Sequence, residues 1–488
     1  MSPVSTATLT SAQETATIAA MQQLFSDQQN DFANAPFWQA HQRIERLEHL
    51  QAALLAEQEM LIQAINDDFG RRSADETRLA ELLPSIEGIK YAKKRIRKWM
   101  RPSRRKVGLA FQPAKARVEY QPLGVVGIIV PWNYPLYLAI GPLVAALAAG
   151  NRALIKMSEF TPNTAAALAK LIGNLFPASE VAIITGEAEV AAEFSKLPFD
   201  HLLFTGGTSI GRHVMRAAAE NLTPVTLELG GKSPAIIGHG TDGNSIDIAT
   251  AAERIAFGKA LNAGQTCVAP DYVLCPEHAK DALVAELKVH LTRMYPTLLN
   301  NPDYTWIINN KQFDRLHGVL QNAISQGANV ISVNPANESF TGTRIIPPTL
   351  ITDATEDMDV LQSEIFGPIL PIVTYREFSE ALTYVRSGDR PLALYYFGAN
   401  KTEQNAVLKT THSGGVCIND TVFHVAQDDL PFGGVGASGM GHYHGHEGFL
   451  TFSKARAVLR KGKLNSARFV YPPYGGKLLN TIYKLFIR

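Results

Sequence analysis

Cysteine is scarce: Cys267, Cys275 and Cys417 are the only three in 488 residues. So few thiols cannot staple a chain this long, which argues against a disulfide framework and for a reducing compartment where a reactive thiol survives. An excess of either charge is also missing. Lys and Arg number 46 against 45 Asp and Glu, leaving a net charge of +1, so there is no electrostatic case for a nucleic-acid partner. Long apolar runs are absent. A membrane helix needs roughly 18 such residues, and the best stretch, Gly141 to Gly150, is short and bounded by glycine. The opening MSPVSTATLTSAQETATIAAMQQLF has no basic region and no continuous apolar core, so it does not read as a secretory signal. The expectation is a cytoplasmic protein without a transmembrane segment. Hydrophobic residues make up 46% and charged residues 19%, enough for large cores in two or three domains of roughly 100–200 residues each.

From Ser11 to Trp99 apolar residues recur three or four apart, as in Ala40, Ile44, Leu47, Leu50 and Leu54. That spacing predicts successive amphipathic helices. A basic run, Lys93 to Lys106, follows and is interrupted by Pro102; it reads as a solvated helix end and linker. Strand-like segments then alternate with helical ones. Predicted strands are Gly124–Val130, Arg152–Lys156, Val181–Thr185, Leu202–Thr205 and Pro224–Leu229, with helices near Pro142–Ala149, Thr161–Leu175 and Val214–Glu220. Such alternation implies βαβ units and a parallel sheet of the nucleotide-binding kind. The second half repeats the pattern, with strands at Asp271–Cys275, Ile369–Val373, Ala393–Phe397 and Gly415–Ile418. The expected class is α/β: a Rossmann-like parallel-sheet cofactor domain, an α/β catalytic domain and a small β element. The end, Phe469–Arg488, reads as a docked arm or an interfacial helix.

Several motifs carry chemistry. Cys267 closes Gly264-Gln265-Thr266-Cys267 after a predicted helix. A free cysteine is usually buried and inert, and Cys275 and Cys417, in apolar strands, fit that reading. Glu228 lies in the apolar run Thr226–Leu229 before Gly230-Gly231. Burial there would raise its pKa toward the working pH, as a general base requires, although an ion pair with Lys232 is an equal alternative. Asn133, in Pro131-Trp132-Asn133-Tyr134-Pro135, stands on a rigid turn from which an amide can reach an oxyanion. Phe204 to Gly211 is a glycine-rich strand-to-helix turn with no GxGxxG or P-loop pattern. Its free N–H groups at Gly206, Gly207, Thr208 and Gly211 suit a phosphate. Lys156 and Glu159 end a strand, where a carboxylate can take both ribose hydroxyls, which favours NAD while leaving NADP possible. Glu364 and Phe366 form a second carboxylate–aromatic pair.

Taken in order, PWNYP, KMSE, FTGGTSIG, LELGGKSP, GQTCVAP, EIFGPIL and PFGGVGASGMG resemble the aldehyde dehydrogenase superfamily from about Pro122 to Thr451. The later pattern, Gly441–Gly445 with Phe449, Phe452 and Tyr471-Pro472-Pro473-Tyr474, resembles the class 3 branch, and within it the bacterial coniferyl aldehyde dehydrogenases. Three departures stand out: Met157 where the family usually has Pro, Gly207 where it usually has Ser, and a longer segment at 238–245.

The resemblance implies roles for the residues. Cys267 would be the nucleophile, Glu228 the base, and the Asn133 amide with the Cys267 N–H the oxyanion hole. Lys156 and Glu159 would hold the adenosine ribose, Gly206–Gly211 the pyrophosphate, and Glu364 and Phe366 the nicotinamide ribose and ring. Trp132, Tyr134, Tyr137, Phe423 and Tyr443 would line a pocket for an aromatic or long apolar aldehyde, with a fatty aldehyde as the alternative substrate. It also implies a cofactor domain over 1–103 and 123–230 and a catalytic domain over 231–428. An oligomerisation element over 104–122 and 451–468, a C-terminal arm over 469–488 and a homodimer complete the picture. No metal is required: His442, His444 and His446 alternate, but glycines interleave them. Transfer of the acyl group to another acceptor such as CoA is disfavoured by Glu228, and a cofactor-free thiol esterase would leave Glu159 and Glu364 without work. A chain keeping only the fold would not need Cys267, Glu228 and Asn133 together.

Overall fold

The computed structural model describes residues 11–108, 111–239, 247–465, 468 and 471–487. The segment expected to form an enlarged loop, 238–245, therefore lies mostly outside the described residues.

The N-terminal periodicity becomes four long helices, Ser11–Asn34, Ala40–Ala56, Gln58–Phe69 and Leu83–Trp99. The stripe carrying Leu47, Leu50 and Leu54 is the buried face of the second. Between the third and fourth, Ala74–Thr77 runs into one π-helical turn, Arg78–Leu82. The basic run is only partly a linker. Its first part ends the Leu83–Trp99 helix, and Ser103–Arg105 is a strand, β1, paired antiparallel with β2, Lys115–Pro122. β1 is largely open to solvent and β2 is mostly half-buried, so no apolar alternation marks β1 in the sequence.

The apolar runs that follow are buried parallel strands, as expected of a sheet covered on both faces. They are β3 (Val125–Ile129), β4 (Arg152–Lys156), β5 (Val181–Ile184), β6 (His201–Gly206) and β7 (Val225–Leu229). The chain then passes through Gly230–Ser233 into a second sheet: β8 (Pro234–Ile237), β9 (Tyr272–Pro276), β10 (Asn329–Ser332), β11 (Thr349–Thr352), β12 (Ile369–Tyr375), β13 (Ala393–Phe397) and β14 (Gly415–Ile418). Its order is β10-β11-β12-β9-β8-β13-β14, with β10 alone antiparallel. A two-residue strand, β15 (Gly439–Met440), returns to the first sheet, whose order is β15-β7-β6-β3-β4-β5. Finally β16 (Ser453–Arg460) pairs antiparallel with β2 along its whole length. Beyond it, the helix Lys477–Phe486 buries only Leu479.

This topology fixes where a site can form. All parallel strands of the first sheet end on one edge, the edge where ligands bind in open α/β sheets. Because β7 leads directly into β8, that edge meets the starting edge of the second sheet. One continuous apolar cluster joins the N-terminal helices to both sheets, including Ile128, Leu143, Ala235, Val273 and Tyr395.

Candidate active site

Each predicted catalytic residue sits at that junction. Asn133 follows the end of β3, Glu228 is the fourth residue of β7, and Cys267 and Glu364 lie in the loops that lead into β9 and β12. Glu228 pairs in register with Gly439 of β15. It is 1% exposed, and among the described residues neither carboxyl oxygen has a hydrogen-bond partner of ordinary geometry. The Cys267 thiol and the Thr205 hydroxyl lie beside it, and burial pushes its pKa up to about 8. Lys232 does not pair with it. That ammonium goes to Asp271 and to the carbonyls of Val360 and Ser363, at 2.9 and 3.0 Å.

Cys267 is half-buried, and its thiol is pushed well above the usual range by burial, then by the Glu228 and Glu364 carboxyls. No positive side chain offsets them among the causes of that shift. The thiol is therefore protonated at neutral pH and needs a base. Glu364 is also pushed up to about 8, by burial first and Asp271 second, while the Gly231 N–H opposes the rise. Its carboxylate rests against Gly230, where a Cβ would stand 2.3 Å from both oxygens. Only glycine admits that contact. Phe366 packs edge-on to Trp132, with ring centroids 5.3 Å apart.

The phosphate-type turn has room for a ligand. β6 ends at Gly206, Gly207 is the N-cap of the helix Thr208–Glu220, and a Cβ on Gly207 would meet nothing within 4 Å. First-turn N–H groups facing open space fit a pyrophosphate. Gly211 closes the first turn on the Gly207 carbonyl at 2.9 Å, and the Thr208 hydroxyl donates to Ala437 O at 3.1 Å. Lys156 is buried, with Nζ on the carbonyls of Met157 and Gly186 at 2.8 and 2.7 Å, while Glu159 stays half-exposed.

The aromatic set divides. Tyr137 and Tyr443 flank Gly141, and the buried Tyr443 hydroxyl has no hydrogen-bond partner among the described residues. Phe423 is at the surface, stacked on Phe257 at 5.7 Å. Tyr134 turns into the core: its hydroxyl meets Thr266 Oγ1 at 2.6 Å and its ring faces the Arg72 guanidinium. The three alternating histidines separate as well. His442 meets Glu447 at 3.3 Å, His444 meets the Tyr137 hydroxyl at 3.2 Å, and His446 stacks on Trp99.

A model of the Aldehyde dehydrogenase family matches residues 1–458. The chain belongs to the aldehyde dehydrogenase family. It is an NAD(P)+-dependent aldehyde oxidoreductase. A probable coniferyl aldehyde dehydrogenase of Pseudomonas aeruginosa is 57% identical over 468 residues, 96% of each chain. The solved structure of the substrate-bound state of Staphylococcus aureus AldH is 38% identical, with a TM-score of 0.90, covering 96% of this chain and 99% of that one. A Mycobacterium tuberculosis aldehyde dehydrogenase complexed with NAD+ is 28% identical, with a TM-score of 0.83 over 92% and 91% of the two chains.

The aldehyde dehydrogenase site also rests on residues that the motifs do not show. Arg72 and Glu81 form a fully buried ion pair at 2.7 Å. Arg72 donates to the Asn133 carbonyl at 3.0 Å, and Glu81 accepts from the N–H groups of Leu136 and Tyr137 at 2.7 and 3.1 Å. Together they hold the Asn133 turn and the start of the helix Tyr137–Ala149. On the other side Glu76 accepts from Asn262 N at 2.8 Å and from the Thr305 hydroxyl at 2.6 Å. Asn262 and Ala263 take left-handed φ values of 53° and 50°, and the Asn262 amide also donates to the Asn133 carbonyl at 3.0 Å. One carbonyl thus links the Asn133 turn to the Cys267 loop. A signal for Glu81 exists in the sequence: it falls in step with Thr77, Ser85 and Ile89, a carboxylate on a buried stripe.

Proposed function

We propose that this aldehyde dehydrogenase oxidises an aromatic, coniferyl-type aldehyde to the carboxylic acid, with Cys267 as nucleophile, Glu228 as base and Asn133 as oxyanion donor. The observation that carries the catalytic assignment is the buried, unpaired Glu228 carboxyl beside Cys267. Its carboxylate, which forms as pH rises toward about 8, can accept a proton, and the neighbouring thiol needs one removed. The thiolate attacks the aldehyde carbon. The Asn133 amide and the Cys267 N–H hold the resulting oxyanion; one such donor is worth about 10²–10³ in rate. NAD+, when bound, supplies the hydride acceptor. Once the proton taken from the thiol has passed to solvent, Glu228 takes a proton from water, the hydroxide adds to the thioester carbon, the C–S bond breaks to give the acid, and the departing Cys267 thiolate takes the proton back from Glu228.

Lys156, Glu159, Gly206, Gly207, Thr208 and Gly211 would hold the adenosine half of the cofactor, with Glu364 and Phe366 at the nicotinamide end. The open turn at Gly207 and the carboxylate at the end of β4 support this reading, and the carboxylate favours NAD+ over a 2′-phosphorylated cofactor. Trp132, Tyr137 and Tyr443 give a planar substrate its walls. Tyr134 serves the site indirectly by holding Thr266. The substrate class is argued from the Pseudomonas relative and these rings. A homodimer through β16 is supported by its position at the edge of the small sheet, with six of its eight residues exposed.

Initial rates with coniferyl aldehyde, hexanal and decanal, each with NAD+ and NADP+, test the assignment. The expected result is the highest kcat/KM for coniferyl aldehyde with NAD+. A higher value for decanal overturns the aromatic substrate, and a preference for NADP+ overturns the role given to Glu159.

A further inference from the structure

The helix Lys477–Phe486 begins beyond residue 458, where the family match ends. Leu479 is its one buried residue and Ile482 is half-buried. The remaining apolar surface is open: Leu478 is 58% exposed, Leu485 63%, Phe486 79% and the following Ile487 72%. At 100° per residue, Leu478, Ile482, Leu485 and Phe486 lie on one side, and Lys477, Asn480, Thr481 and Lys484 on the other. This is the largest run of exposed apolar side chains in the described chain, and nothing described covers it.

Charge says what would cover it. From Gly448 to Arg488 the sequence holds nine Lys and Arg and no Asp or Glu. The eight of these that are described are all exposed. The small sheet continues the bias: β1, β2 and β16 carry seven Lys and Arg against one acid, Glu119. A whole chain of net charge +1 therefore concentrates its positive charge where its apolar surface is most open. An apolar stripe flanked by lysines matches an acidic lipid surface, with the rings and leucines entering the headgroup boundary and the ammonium groups at the phosphates. Packing one such tail on another would place like charges together.

We propose that the C-terminal segment is a docking surface for anionic membranes and lies in the interface with the 477–486 helix flat on the lipid. This reading is independent of the aldehyde assignment.

Co-sedimentation of the full chain with phosphatidylcholine vesicles, with and without phosphatidylglycerol, tests it. Binding is expected to the anionic vesicles only. It should weaken sharply when salt rises from about 0.1 M to about 1 M and the screening length falls from ~10 Å to ~3 Å. Leu485→Glu/Phe486→Glu and Lys477→Glu/Lys484→Glu should each lower partitioning at least about tenfold while leaving aldehyde oxidation in solution unchanged. No binding to anionic vesicles, or binding that both double variants keep, overturns the proposal. So does loss of a dimer in Leu485→Glu/Phe486→Glu by sedimentation velocity, which would make a second copy the occupant.

Discussion

At the residue scale, the site is a set of acids with too little positive charge around them. Cys267 faces Glu228 and Glu364, and burial raises all three. Removing one negative charge should therefore lower the thiol's pKa. In Glu364→Gln, alkylation of Cys267 by iodoacetamide in the free enzyme is expected to accelerate roughly 3- to 10-fold, the change for half to one pKa unit. Gly230→Ala should act in the same direction, because its methyl displaces the Glu364 carboxylate. Mass mapping of the Cys267 peptide gives the rate, and an unchanged rate in Glu364→Gln would remove that carboxylate from the account of the thiol. Glu228→Gln is expected to lose about 10²–10⁴ in steady-state turnover and to keep a burst of NADH, if its main load is deacylation. The absence of any burst would assign it to thiol activation. The sign of the pH dependence follows from the same group. If Glu228 acts as its carboxylate, as proposed, kcat/KM should rise as pH increases toward about 8, the value burial gives it in the free enzyme, and then flatten. A flat profile from pH 6 to 9 (a range of roughly a unit or two on either side of that value) would contradict it. These residues were legible from their motifs because each is a chemical group in an unusual local setting. Their charges' mutual effect was not, since it depends on a contact between Glu364 and Gly230 made across 134 positions of sequence.

At the scale of elements, most strands inside the two sheets were visible as apolar runs, and β4, β13 and β14 match their predicted spans, but the buried four-residue strands β8 and β11 were not predicted. What escaped was short or exposed: β1, β10 and the helix Ala188–Ser195 lack a long buried stripe to announce them. The π turn at Arg78–Leu82 escaped for another reason. Its hydrogen bonds are a small local adjustment that brings Glu81 to Arg72, and only the folded partner gives it meaning. That pair is where an element-scale prediction belongs. Removing one member of a buried ion pair costs about 3–5 kcal/mol, so Arg72→Met alone should lower the chemical-denaturation midpoint markedly. The double variant Arg72→Met/Glu81→Leu removes the lone Glu81 charge, though the buried Glu76 still loses the cation it faces, and should recover part of that loss. It should not recover kcat, because the Asn133 carbonyl has still lost Arg72 and the Tyr137–Ala149 helix has still lost its cap. Recovery of stability and kcat together would show that the pair serves folding alone.

At the scale of the whole molecule, function follows from one crossing of the chain. β7 ends the first sheet and β8 starts the second, so the last residues of one and the loops before β9 and β12 share a cleft. The proposed cofactor edge and Cys267 are thereby brought together without either sheet carrying the full candidate site. The small sheet stands outside this arrangement. Its outer strand β16 is exposed along most of its length, and a free edge of eight residues is a template for pairing with another chain. Ala457 and Leu459 lie on one side of that strand, since side chains alternate, and Leu459 is 58% exposed. If this edge joins two copies, light scattering should give twice 53.2 kDa for the native protein and 53.2 kDa for Ala457→Asp/Leu459→Asp. The double variant should retain its melting transition, because neither side chain is buried within one chain. A variant that stays dimeric places the interface elsewhere and leaves β16 as an edge protected only by its own Lys454, Arg456 and Arg460, the kind of charge that blocks strand addition.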